Sequence, residues 1–454
     1  MNTSQTFKVK FHAEAAARIA ELAKEVLSSV RSFGPIEPPP SAGAEIHPVA
    51  HIGPDEIIGE IKVRQSSFNG LGTEIGRYWI SKGMRVGWEG REFEAIKDLA
   101  IRLGSLTSIK GRVSESFLFD EVFAWLSETI ELKRGDELAD YITERCSTEI
   151  KDYEIWVPVF RTYSTTHFKI GNVDFRTVSK AILDRSYGQL PDDVAKGPEV
   201  AIKINRERSR IQGSIAACIR ARAEFKKARE VAQSAASEAI GLLRFLSPVN
   251  FTCRLVSHCL PVGRENTQRA MELFVEDGVI KSVSEASVEQ GPAGWNLDEA
   301  RSHWPGILEF LDKLAADQDS TDFRRVLHGA LQLYSRHSIA AEIPQKMLFV
   351  AAAIESLLLK DPHEPIQKSL GERMAFLIGH SLAERKEIVK AVEGFYRIRS
   401  AFFHHGKSVC TEETDVIDKF FVSVWSSLAH LLSQVDQYST KEQLIASLEE
   451  LKFS

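Results

Sequence analysis

Apolar side chains recur at steps of three and four along most of this chain, and give way to alternation only in its first two thirds. Residues 13–30 place Ile19, Leu22, Ala23, Val26 and Leu27 on one stripe, which predicts an amphipathic helix. The prolines of 33–40 (FGPIEPPP) exclude helix and predict an extended linker over 33–50. Residues 57–63 read as a strand, and 92–103, 117–132 and 137–150 as helices. The pattern turns β-like at 153–160 (YEIWVPVF) and at 166–175 (THFKIGNVDF), where a Gly-Asn turn divides the second run, so a small sheet is expected there. Between 206 and 246 only Gly213 and Gly241 interrupt. The spacing of Ile211, Ile215, Cys218 or Ile219, Val231, Ala235, Leu242 and Leu246 predicts one long helix closed by Pro248. Strand-like pieces follow at 251–256, 273–275 and 279–283. Helices are then expected over 298–316, 321–337, 344–359, 365–379, 382–403, 412–435 and 440–451. Short connections between helices of this length describe an antiparallel bundle. The expected fold is therefore mostly α, with a small mixed α/β N-terminal part. Its expected divisions are an N-terminal helix (1–32), the linker (33–50), a mixed α/β domain (51–297) and a helical domain (298–454).

Composition narrows this picture only slightly. A chain of 454 residues exceeds one ordinary core, and 43% hydrophobic with 26% charged residues is ordinary for a globular protein. A net charge of −6 argues against a surface covered in nucleic-acid-binding basic residues, while leaving room for a local basic groove. Five cysteines with no paired spacing predict a reducing, cytoplasmic setting rather than a disulfide framework. The N-terminus has no apolar signal-peptide core, and the apolar run 347–359 is too short to span a bilayer, so no membrane association is expected.

Most candidate motifs reduce to structure. The glycine-rich run 69–76 (NGLGTEIG) lacks dinucleotide-binding spacing and reads as a turn. Cys253, His258 and Cys259 match no zinc pattern and read as buried thiols beside a histidine. The basic run 220–229 reads as a solvated face, with an RNA-facing stripe as the sharper alternative. No cofactor or metal is indicated.

One stretch carries chemistry: 395–406 (FYRIRSAFFHHG), where Arg399 precedes His404 and His405. A histidine moves a proton near neutral pH, and an arginine holds a charged oxyanion. Spacing alone decides nothing, because an arginine with four to six residues between it and a following histidine also occurs as Arg161 with His167 and Arg373 with His380. On a straight helix residues five apart are separated by about 140°, whereas Arg397 and His404, seven apart, lie almost in register. Either the helix loosens before Gly406, or Arg399 and His404 reach a cleft from neighbouring faces, or a two-fold axis pairs them between chains. His405 competes with His404. Glu355, in the most apolar helix, needs a partner, and an ion pair with Arg373 or Arg399 is expected. Arg373 reads as structural. Tyr396 reads as a core or interface residue, with stacking on a base as the alternative.

The order of 349–359 (FVAAAIESLLL), 370–379 (LGERMAFLIG) and 395–406 (FYRIRSAFFHHG) resembles the Apea-like branch of the HEPN family. The resemblance covers roughly 348–432. It implies a helical bundle that dimerises so that two Arg–His motifs meet in one cleft. In active members that cleft is a metal-independent ribonuclease needing no cofactor. Carried onto this chain, Arg399 would polarise the scissile phosphate, and His404 would act as general acid or base. Ser400 stands where many nuclease members have Asn, Asp or His. The resemblance further implies an effector of abortive-infection, antiviral-defence or toxin type acting on RNA as a homodimer. The N-terminal region would serve as sensor or regulator. The alternative is a non-catalytic dimerisation, nucleotide-binding or RNA-binding module.

Overall fold

A computed structural model describes residues 8–35, 64–187, 198–264, 267–276, 279–289, 294–316, 321–361 and 363–452. The chain forms two compact units that interleave along the sequence. One contains 1–153 with 220–231, and the other 154–219 with 232–454. The expected boundary at 297/298 falls inside the second unit.

In the first unit, helices α1 (Ala13–Ser28), α2 (Arg91–Gly104), α3 (Glu115–Leu132) and α4 (Leu138–Glu149) share one core with a four-stranded antiparallel sheet. Its strands are β1 (Arg31–Pro35), β2 (Arg64–Phe68), β3 (Glu74–Ser81) and β4 (Met84–Glu89), ordered β1-β4-β3-β2. The β3–β4 hairpin turns on Lys82 and Gly83, both at positive φ, the geometry that matches strand twist. The glycine-rich run is indeed a turn, with Asn69 Oδ1 accepting from the amides of Leu71 and Thr73 at 3.0 and 2.9 Å. Residues 33–35, expected in the linker, belong to β1, where Phe33 packs edge-on to Tyr78. The rest of that linker and the strand expected at 57–63 lie outside the described residues.

The expected helix over 206–246 is three elements: α6 (Pro198–Ile211), strand β8 (Ser214–Ala223) and α7 (Phe225–Leu243). Gly213 turns the chain at φ 84, and β8 then enters a five-stranded sheet of order β11-β5-β8-β7-β6. The other strands are β5 (Lys151–Tyr163), β6 (Phe168–Ile170), β7 (Val173–Thr177) and β11 (Trp295–Asn296). Six consecutive residues of β8, Ser214 to Ile219, are buried. A strand covered on both faces has no polar alternation to betray it. Helix α5 (Lys180–Tyr187) follows β7, and β9 (Thr267–Glu276) pairs antiparallel with β10 (Val279–Glu289). The strand expected at 251–256 is absent. Residues 248–251 form a 3₁₀ turn instead, where Asn250 Nδ2 donates to the carbonyls of Arg244 and Phe245 at 2.8 and 2.7 Å. The Cys253 amide then donates to Asp418 at 2.6 Å, so side chains replace the ladder.

The C-terminal part is helical, as expected: α8 (Leu297–His303), α9 (Ile307–Ala316), α10 (Asp322–His337), α11 (Ile343–Leu358), α12 (Ile366–Ile378), α13 (Leu382–His405), α14 (Thr411–Ser433) and α15 (Lys441–Glu450). Trp304, Pro305 and Gly306 separate α8 from α9, where one helix had been expected. Sheet residues Val159, Phe175 and Ile215 join Leu327, Ile354 and Phe420 in one core that spans the expected boundary at 297/298. Among the described residues no helix is long and apolar enough to cross a membrane.

His337 sits wholly inside this core, its Nδ1–H donating to the Tyr334 carbonyl between the rings of Tyr334 and Phe421. Burial pushes its pKa from 6.5 down to about 3. Below pH 6.5 the unfolded imidazole takes a proton that the folded one refuses. Stability is therefore expected to fall as pH drops from 6.5 toward 3, with no contribution above 6.5. Urea midpoints at pH 7 and pH 5 check this, since His337→Gln should lose less than wild type. Equal losses would remove the assignment.

Candidate functional site: a cleft beneath helix α13

Helix α13 begins with Ser381, whose Oγ accepts from the Glu384 amide at 3.2 Å, while the Glu384 carboxylate accepts from the His380 amide at 2.8 Å. It stops at Gly406, which takes φ 64. There the Gly406 and Lys407 amides donate to the carbonyls of Phe402 and Ala401 at 3.0 and 3.2 Å. The helix therefore stays regular through His405, and no loosening brings Arg399 toward His404. Inside, Phe395 stacks on Phe420 of α14 at 3.8 Å, which fixes the rotation of α13 about its axis.

That rotation turns Val389, Glu393, Tyr396, Arg399, Ser400, Phe403 and His404 toward a solvent-open cleft of about 1020 Å³, closed on its other sides by Leu348 and residues 364–368 and 372. Arg399 and His404 mark the two edges of an arc of about 140°, and they lie about 7.5 Å apart along the axis. They reach one cleft from neighbouring faces, the second of the geometries open at the outset. Arg397, which the in-register argument favoured, is exposed and lines no part of the cleft, and neither does His405.

Tyr396 is buried and donates its hydroxyl to Glu355 Oε1 of α11 at 2.6 Å. Burial and the Glu355 carboxylate push the phenol far above its ordinary pKa of 10.0, so it remains a hydrogen-bond donor. Arg399 lies over the Tyr396 ring, its guanidinium carbon 5.6 Å from the centroid. Its Nε is buried and finds no acceptor among the described residues. The expected ion pair of Glu355 with Arg373 or Arg399 is replaced by this tyrosine bond. Arg373 instead spends its donors on the Leu358 carbonyl at 2.6 Å, on both Glu364 oxygens at 2.7 and 3.0 Å, and on Glu449 at 2.8 Å. It is buried and structural, as read from sequence.

The cleft is mixed in charge. Lys368 and Arg399 face Glu364, Glu372 and Glu393, of which Glu364 is held by Arg373 and Glu372 lies 2.7 Å from Lys452. Leu348 and Phe403 are each 42% exposed at its rim. Sequence reading missed Lys368, Glu393 and Leu348. For Glu393 the three- and four-residue steps through Tyr396, Ser400 and His404 were the available signal. Lys368 and Leu348 come from other helices and had none.

The arrangement supplies a cation able to bind an anionic oxygen and an exposed imidazole able to exchange a proton. Among the described residues no cluster of His, Cys, Asp and Glu forms a metal site, and Cys253 and Cys259 are buried thiols whose pKa values rise to about 12 and about 11. Compared with family models, curated proteins and solved structures, the chain finds no match.

Proposed function

We propose that the C-terminal helices are a HEPN-like domain and that the α13 cleft cleaves RNA. The observation that carries this reading is that Arg399 and His404 line one open cleft, whereas the rival Arg373 is buried and paired with Glu364 and Glu449. His404 would take the ribose 2′-hydroxyl proton as that oxygen attacks phosphorus. The P–O5′ bond breaks, and the departing oxygen receives a proton from His404 or from the same residue of a second copy. The products are a 2′,3′-cyclic phosphate and a 5′-hydroxyl. Arg399 would bind the non-bridging oxygens, where negative charge grows in the transition state. Exposed Leu348 and Phe403 at the rim favour a second chain seated across the cleft. An effector role in antiviral defence or as a toxin, with the N-terminal region as sensor, follows the same resemblance.

Glu393 in the cleft favours a second reading, a non-catalytic dimerisation or binding module, since its carboxylate opposes a polyanion there, while Glu364 and Glu372 are held by Arg373 and Lys452. Incubating the purified chain with total RNA and with short synthetic RNAs separates the two. Cleavage leaving cyclic phosphate ends, blocked by a 2′-deoxy substitution at the cut, supports the nuclease. Binding without cleavage would leave only the module.

A further inference from the structure

A second cavity in the same unit has no part in this chemistry. It measures about 690 Å³, opens to solvent like the first, and is lined by Arg244, Arg264 and Arg336, with Glu238, Gln332 and Gln345 beside them. Leu260, Ile339 and Phe349 supply an apolar wall. It touches α11 through Gln345 and Phe349, next to Leu348 of the α13 cleft.

Arg244 is the feature that demands a ligand. It is only 8% exposed, yet no carboxylate pairs with it among the described residues. Its Nε donates to the Ile240 carbonyl at 3.4 Å, and its Nη1 is buried with no acceptor. Arginine does not shed its proton, so this is a buried, unneutralised cation, which is a costly arrangement. Burial is what chiefly disfavours the cationic form, and the neighbouring Arg336 adds a smaller repulsion. The Cys259 thiol offers no counter-charge, since burial raises its pKa to about 11. The one carboxylate in the lining, Glu238, lies 3.2 Å from His328 Nε2. Three guanidiniums against one carboxylate leave an excess positive charge that a monoanion would not neutralise. A phosphate dianion would, with oxygens enough for several guanidinium forks.

We propose that this cavity binds a small phosphorylated molecule, its phosphate held by Arg244, Arg336 and Arg264 and its apolar body against Leu260, Ile339 and Phe349. The site goes beyond the nuclease reading and stands without it.

Thermal shift and calorimetry on the full chain test it, using inorganic phosphate, pyrophosphate, the mono- and diphosphates of adenosine and guanosine, and malonate as a carboxylate control. At least one phosphorylated probe should bind one-to-one and raise the melting temperature. Arg244→Met should weaken that binding roughly 100-fold. It should also leave the ligand-free melting temperature equal to or above wild type, because the uncompensated charge is gone. Arg336→Ala, at an exposed position, should weaken binding roughly tenfold without touching the fold. The proposal is overturned if no phosphorylated probe binds wild type, or if malonate binds as tightly as the phosphates. It also fails if binding survives either substitution, or if Arg244→Met melts well below wild type, which would mark the arginine as structural.

Discussion

His404→Ala is expected to lower RNA cleavage by roughly 10²–10⁴-fold, the usual worth of a positioned general acid or base. The loss should appear in kcat, with RNA binding little changed, because the imidazole is exposed and carries no packing load. Arg399→Ala should remove a similar amount, roughly 10²–10³-fold, since on the proposed mechanism it deletes the charge that would meet the growing oxyanion. The informative comparison lies with the neighbours. Arg397→Ala and His405→Ala change residues of the same types within two positions, yet neither lines the cleft. Both should retain activity within about threefold, as expected when no transition-state contact is lost. Initial rates on one synthetic RNA, with circular dichroism to confirm folding, decide the matter. Equal losses at His404 and His405 would sink the assignment of His404, and undiminished cleavage by His404→Ala would sink the cleft itself.

The largest expected effect on stability belongs to Arg373→Met, at about 3–5 kcal/mol, the cost of stranding one partner of a buried ion pair. Arg373 and Glu364 side chains are 4% and 14% exposed, and the guanidinium also serves the last carbonyl of α11, at Leu358. Methionine matches its length, so the loss reports unpaired polar groups rather than a cavity. Glu364→Gln in the same chain should recover part of it by removing the stranded charge. Urea unfolding followed by far-ultraviolet circular dichroism measures both, and a loss under about 1 kcal/mol for the single variant would show the network to be ornamental. Acid should act on the same bonds. The hydrogen bonds from Arg373 hold Glu364 below its ordinary value of 4.5. Its contribution is therefore present above about pH 4.5 and is lost as pH falls further.

These two networks differ in how much of them could be read in advance. The Arg–His stretch is local, and the stop glycine at 406 is legible because only a residue free to take positive φ ends the helix so cleanly. The partners of Arg373 lie 9 and 76 positions away, and Tyr396 meets Glu355 across 41, so no spacing rule reaches them. The error over 206–246 has a different cause. Ile211, Ile215 and Ile219 satisfy a helical stripe, but Ile211 ends α6 and the other two belong to a strand buried on both faces, whose unbroken apolar run suits a helix equally well.

By itself the sequence determined what depends on neighbours within a turn or two. That includes most helices of the C-terminal part, the glycine stop at 406, and the placing of Arg399 and His404 about 140° apart on one of them. The tertiary structure alone decided which arc of that helix faces a cleft, through the stacking of Phe395 on Phe420. It likewise decided that Glu355 serves a tyrosine and that Arg244 is buried without a counter-ion. The reason is physical: helix periodicity is set by backbone geometry within a few residues, whereas the burial and pairing of a charge depend on groups brought together by packing from distant parts of the chain.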